Sequence, residues 1–190
     1  YTIRPSLEVQ FTKAPTIALA GPTGSGKTES AMRVARGYVG SSGKFLVIDT
    51  EEKRALYKKE RYQPWDWMDL QPPFSPERYT EALDAGKDYQ AVVLDSGSHE
   101  YAGEGGCQDM HDAALERMAK GDLAKMERLS APAWKEPKLA HKKMMSRLIR
   151  YPTLLIVCLR AEPKIKFVKV EGKTQIVDAG YQPICERMFM

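Results

Sequence analysis

The chain has 190 residues, 43% of them hydrophobic and 28% charged, with a formal net charge of +4. That length holds one compact domain with a real core and is marginal for two, while a mean hydropathy of −0.46 without a long apolar run predicts no membrane span. Three scattered cysteines, Cys107, Cys158 and Cys185, support no disulfide framework and predict a reducing, cytoplasmic setting.

The opening residues Tyr1-Thr2-Ile3-Arg4-Pro5 carry no charged-then-apolar signal pattern. The absence of an initiating Met, and the stop at Met190 directly after Met188-Phe189, predict a piece trimmed at both ends. Residues 16–20 form an apolar run that reads as a strand and ends at a glycine-rich loop. From Thr28 to about Tyr38, Ala31, Met32, Val34 and Ala35 recur at helical spacing, and Gly37 and Gly40 end the helix. A second buried strand, 45–48, closes on Asp49-Thr50-Glu51. Ser75 followed by Pro76 is an N-cap signal for a helix to about Ala85. A third strand at 91–94 ends on Asp95, and a polar, glycine-rich stretch runs from Ser96 to about Gln108. Helices are predicted at roughly 109–119 and 134–150, and a fourth strand at 153–159. The alternating segments 164–170 and 174–178 around Glu171-Gly172-Lys173 predict a β-hairpin. Apolar strands alternating with helices predict an α/β fold, with a mostly parallel sheet covered on both faces. Ligands in such sheets bind at the carboxyl ends of the strands, where every polar motif here falls.

The loop Gly21-Pro22-Thr23-Gly24-Ser25-Gly26-Lys27-Thr28 matches the phosphate-binding pattern G-x-x-x-x-G-K-[ST] in full. Glycines at 21, 24 and 26 let the backbone curl and aim its N–H groups at a phosphate. Lys27 brings positive charge to the β- and γ-phosphates, Thr28 offers a hydroxyl to Mg²⁺, and the following helix, beginning with Glu29, aims its positive end at the same anion. ATP with magnesium is the predicted ligand. Val92-Val93-Leu94-Asp95 is an apolar strand ending in an acid suited to hold Mg²⁺ through a water. Glu51 is the candidate general base, with Glu100 as its rival and a capping or salt-bridged acid as the plain alternative. Arg160, at the end of the fourth strand, either reports the γ-phosphate or pairs with Glu162.

These segments stand in the order found in the RecA-like branch of the P-loop ATPases, which the chain resembles. It is similar to small phage-encoded AAA/RecA-type nucleotide-binding proteins in Pro-Thr-Gly-Ser-Gly-Lys-Thr at 22–28, Ile-Asp-Thr-Glu at 48–51 and Pro-Pro-Phe-Ser-Pro-Glu-Arg-Tyr at 72–79. Asp-Ser-Gly-Ser-His-Glu at 95–100 and Gly-Glu-Gly-Gly at 103–106 continue the likeness. The resemblance implies a single RecA-like ATPase domain over 1–190, water activation by Glu51 and a γ-phosphate sensor at the position of Arg160. That sensor is usually Gln, so Arg is a departure. It also implies single-strand DNA work in phage-type recombination or replication, in the bacterial cytoplasm. Homo-oligomeric ATP sites and a single-strand-binding protein as partner belong to the same expectation.

Two basic regions can serve a polyanion or simply face solvent. Lys135, Lys138, His141, Lys142, Lys143, Arg147 and Arg150 enrich one helical stretch, with Leu139, Met145, Leu148 and Ile149 available to the core. The hairpin adds Lys164, Lys166, Lys169 and Lys173. Tyr101, in the polar stretch, can stack a base or pack inward. Cys107 and His111 are four apart with His99 near in sequence, but no fourth zinc ligand is visible. Trp65, Trp67, Met68 and Phe74 read as core packing or a cover over the sheet edge. Two other classes fit the same loop. One is a small-molecule P-loop kinase, whose lid would draw on Arg54 and Arg61. The other is a non-catalytic, nucleotide-gated DNA-binding module.

Overall fold

The computed structural model describes residues 4–5, 14–170 and 173–185. Both chain ends read above as trimmed, and the turn residues Glu171 and Gly172, lie outside the described residues.

Five strands form a parallel sheet: β1 (Thr16–Gly21), β2 (Phe45–Asp49), β3 (Trp65–Asp69), β4 (Ala91–Asp95) and the first part of β5 (Leu154–Val170). Their order is β1-β5-β4-β2-β3. Strand β6 (Lys173–Pro183) pairs antiparallel with the far part of β5, which makes the predicted hairpin a long ribbon growing out of a central strand. Every residue of β2 and β4 is buried, as two-sided coverage requires.

Helix α1 (Lys27–Val39) covers one face, where Ala31, Met32 and Ala35 pack on Phe45, Val47 and Val93. Helices α2 (Pro76–Ala85) and α6 (Lys135–Ile149) cover the other, where Leu83, Met144 and Leu148 pack on Leu46, Val92 and Leu155. The neighbours Leu46 and Val47 thus serve opposite cores, because successive strand side chains point to opposite faces. Helices α3 (His99–Ala102), α4 (Cys107–Ala119) and α5 (Leu123–Ala133) lie between β4 and α6. None of the helices among the described residues is long and apolar enough to cross a membrane.

Several expectations are corrected. Trp65 and Phe74 pack in the core as expected, but the Trp65 segment is also a parallel strand on the sheet edge, pairing Trp65–Asp69 with Phe45–Asp49. Its acids at 66 and 69 broke the apolar run that marks inner strands. Helix α5 was missed because Pro132 reads as a breaker. It stands one residue before the helix stops at Ala133, and Asp122 caps the start by accepting from Ala124 and Lys125. On α6, Leu139 and Ile149 are exposed, and Pro137, Ala140, His141 and Met144 take the buried face with Met145 and Leu148. His141 therefore drops out of the basic face. Ser96–Gln108 contains helix α3, a single short turn that buries Glu100.

Candidate active site

The carboxyl ends of β1, β2, β4 and β5 meet at one cavity of about 250 Å³, lined by the glycine-rich loop, Glu51, Asp95 and Arg160. The strand register explains the meeting. Gly21 lies beside Arg160, and Asp49 beside Asp95, so loop, acids and arginine all emerge at one edge. Because β5 lies between β1 and β4, Arg160 sits between the loop and the two acidic strand ends.

The loop turns through left-handed backbone at Gly24 (φ 81°) and Gly26 (φ 84°), which L side chains rarely adopt. Gly26 also caps α1, whose first-turn amides have no intrahelical acceptor and remain to bind an anion. Lys27 Nζ donates to the Gly21 and Pro22 carbonyls at 2.9 and 2.8 Å, holding the ammonium over the loop. Thr28 Oγ1 donates to Asp95 Oδ2 at 2.5 Å. Ser25 N–H donates to the Pro22 carbonyl, which closes the turn containing Thr23. Glu29 lines the same cavity but spends its carboxylate on Lys58 (2.7 Å), Arg61 (2.9 Å) and the Tyr62 hydroxyl. The Lys58 and Tyr62 hydrogen bonds hold its pKa down at about 2. It ties α1 to the 3₁₀ helix Arg54–Lys58, which carries Tyr57, 90% exposed, to the cavity mouth.

The last residue of β2 and the two that follow it divide the work. Asp49 is fully buried, and its carboxylate accepts the amides of Glu51 (2.7 Å) and Ala55 (3.1 Å) and the Trp67 indole N–H (3.2 Å). It shapes the turn. Thr50 donates to the Ser96 carbonyl and accepts the Ser96 amide, so His99 Nδ1, 2.8 Å from the same hydroxyl, must be the donor of that pair. Burial and the nearby Arg160 charge hold the His99 pKa below its usual value, in keeping with that neutral ring. Glu51 alone turns to the cavity. Its carboxylate takes a two-point pair from Arg160, Nε at 2.8 Å and an outer nitrogen at 2.5 Å, and a weaker contact from Arg54 at 3.4 Å.

Burial pushes the Glu51 pKa up, but the Arg160 hydrogen bonds and charge outweigh it and leave a net lowering. At Asp95 burial wins, helped by the Glu51 and Asp49 charges, and its pKa rises. A divalent cation between Thr28 and Asp95 would reverse that balance, since two hard oxygen donors facing phosphates are the usual magnesium set. The residues present therefore fit a magnesium–triphosphate ligand: a curled loop of amides, a lysine, and a hydroxyl–carboxylate pair.

Two expectations land elsewhere. Arg160 pairs with Glu51, while Glu162 faces Lys164 at 3.8 Å. Glu100 is wholly buried beneath α3 and does not line the cavity; Cys107 and His141 occupy its carboxylate. A base must reach the reacting water, and Glu100 has no path to it. The looked-for trio of His99, Cys107 and His111 is not assembled either, since His111 contacts Asp112 and the Ser130 carbonyl and stacks on Trp134. Tyr101 packs inward on Trp134 at 6.2 Å between ring centres. What the sequence left out is a second cavity of about 540 Å³, bounded by Gln71, Phe74 and His99 and sharing Glu51, Arg54 and Arg160 with the first. No protein-family model matches the chain, and comparison with curated proteins gives no match.

Proposed function

We propose that this chain is a magnesium-dependent ATPase with a RecA-like core, acting on single-stranded DNA in phage-type recombination or replication. The observation that carries the reading is the Glu51–Arg160 pair at the back of a phosphate-binding cavity. The loop amides and Lys27 hold the triphosphate, and Thr28 and Asp95 hold magnesium, which supplies charge neutralisation to the phosphate oxygens. The γ-phosphate brings negative charge to Arg160, whose guanidinium then divides its hydrogen bonds between phosphate and Glu51. The freed Glu51 oxygen accepts a proton from water as the water oxygen bonds to phosphorus and the bond to the leaving ADP oxygen breaks. Held ionised by Arg160, Glu51 is ready as a base yet occupied until nucleotide arrives.

Single-stranded DNA is supported by exposed cations and an exposed aromatic. Lys138, Lys142 and Lys143 stand on the outer face of α6, and Lys164, Lys166 and Lys169 stand on the ribbon with Phe167, 69% exposed. Cations bind the backbone without reading sequence, and an aromatic ring gives a base a stacking partner. An oligomer is supported by Ile165 and Ile176, 59% and 65% exposed on the same ribbon. Inter-subunit ATP sites and a single-strand-binding partner rest on the resemblance to RecA-like proteins.

The second cavity favours one other reading, a small-molecule kinase. An acceptor hydroxyl there would meet the γ-phosphate across the Glu51–Arg160 wall. ATP turnover with and without single-stranded DNA, in wild type and Lys27→Ala, separates the readings. The ATPase reading expects phosphate release that rises with DNA and vanishes in Lys27→Ala. Transfer to nucleosides or nucleotides without DNA stimulation selects the kinase. Tight ATP binding without turnover selects the non-catalytic module.

A further inference from the structure

Away from the cavity, Glu100, Cys107 and His141 bring one carboxylate, one thiol and one imidazole together, with their donor atoms all within 4.8 Å of one another. Each comes from a different helix, α3, α4 and α6, and each is at most 2% exposed. Cys107 Sγ lies 3.2 Å from Glu100 Oε1, and His141 Nδ1 lies 2.9 Å from the same oxygen. We propose that Glu100, Cys107 and His141 form a three-ligand zinc site, completed at the fourth position by a water or a backbone carbonyl, that pins α3, α4 and α6 together.

Three arguments carry it. The first is geometry. Zinc bonds of about 2.0–2.3 Å in a tetrahedron place neighbouring donors roughly 3.3–3.6 Å apart. The two short separations need widen by about 0.5 Å to admit the ion, and the third, between Cys107 and His141, lies within 4.8 Å and has to settle into the same range.

The second is charge. Glu100 as carboxylate and Cys107 as thiolate carry two negative charges, which a divalent zinc ion cancels with neutral imidazole as third ligand. A buried site cannot hold net charge cheaply, and this donor set leaves none. Sulfur with imidazole favours the borderline ion zinc over magnesium or calcium, which want oxygen alone. Binding sends the Cys107 thiol proton to solvent, and the proton that His141 Nδ1 donates to Glu100 passes to Nε2, so that the ring stays neutral and Nδ1 faces the ion. The fourth position is open to water or to the Pro137 carbonyl, 3.9 Å from Cys107 Sγ.

The third is the turn that builds the site. Gly106 directly precedes Cys107 and caps α4. A Cβ there would stand 2.7–2.8 Å from the carbonyl oxygens of His99, Glu100 and Gly103. Only glycine lets the 103–106 segment fold this tightly onto α3, and that fold brings Cys107 against Glu100. The site is independent of the ATPase reading, because none of its ligands lines the phosphate cavity.

The test is metal content and cobalt spectroscopy on the full chain, purified without chelator. Zinc should be present at about one ion per chain, and cobalt exchange should give the near-ultraviolet thiolate band and tetrahedral visible bands. Cys107→Ser should lose the thiolate band, His141→Ala should lose the metal, and Cys185→Ser should keep both. Wild type decides even where a ligand variant does not fold. Wild-type protein without zinc that takes up neither zinc nor cobalt overturns the proposal. So does a thiolate band that survives Cys107→Ser.

Discussion

Two glutamates of this chain look alike in sequence and differ in everything the fold does with them. Glu51 lies two residues past the strand that ends at Asp49, and Glu100 lies five residues past the strand that ends at Asp95. Glu51 keeps 9% side-chain exposure at a cavity wall, with Arg160 across from it and Asp49 fixing its backbone. Glu100 follows one turn of helix inward and meets Cys107 and His141 with no route to solvent. An acid becomes a candidate base when the backbone turns outward at the strand end, and a structural anchor when one helical turn rotates it under the sheet. Residue type and nearness to a motif do not separate the two outcomes.

The largest break in that comparison comes from the loop both acids depend on for meaning. Lys27→Ala removes the cation facing the phosphates and is expected to lower kcat/KM for ATP about 10²–10³-fold, read by phosphate release at saturating magnesium. Next is Arg160→Ala, which leaves Glu51 with its burial but without the guanidinium. In wild type the Glu51 pKa is lowered, so the acid limb of kcat/KM lies below the ordinary carboxylate value. In the variant burial is opposed only by the weaker His99 and Arg54 charges, the pKa rises, and that limb moves to higher pH, measurable as a pH profile on the protein without nucleotide. A smaller effect is expected from Tyr57→Ala at the cavity mouth. Losing a ring that can cover a base should cost about 1–3 kcal/mol of ATP affinity, seen in KM with kcat kept.

The smallest effect sharpens the structural side. Glu29 has its pKa lowered to about 2, so its contribution to stability is complete above the ordinary value near 4.5. It fades as pH falls from there towards about 2. Glu29→Gln should therefore flatten the acid limb of Tm against pH over that window, and leave neutral-pH turnover in place. A partly exposed ion pair is worth little, so the shift is small.

Much of this was legible in the chain because the signals were local. The loop 21–28, the cap at Ser75-Pro76 and the apolar runs of β2 and β4 each lie within a dozen residues, and short-range physics dictates them. The Thr28–Asp95 pair spans 67 residues, yet the motif logic of a hydroxyl and an acid for one cation predicts it. The Glu51–Arg160 pair spans 109 residues, and the sequence offered the arginine only the γ-phosphate or Glu162 as a partner. What decides it is β5 lying between β1 and β4, a strand order that composition does not encode. The Glu100–Cys107–His141 cluster was invisible for the same reason. Its spacing of seven and then thirty-four residues matches no short motif, and His141 was read with the basic face because lysines flank it on one side and Leu139 lies two residues before. Strand β3 failed differently, since an edge strand needs only one apolar face and need not form a continuous run.

The most direct measurement is ATP turnover by Glu51→Gln and Glu100→Gln beside wild type, with nucleotide affinity and Tm recorded on the same preparations. Glu51→Gln should bind ATP as wild type does and lose about 10²–10⁴-fold in kcat. Glu100→Gln breaks a buried pair, should lose about 3–5 kcal/mol of stability, and should keep turnover per folded molecule. Full activity in Glu51→Gln together with a dead but stably folded Glu100→Gln would contradict the account.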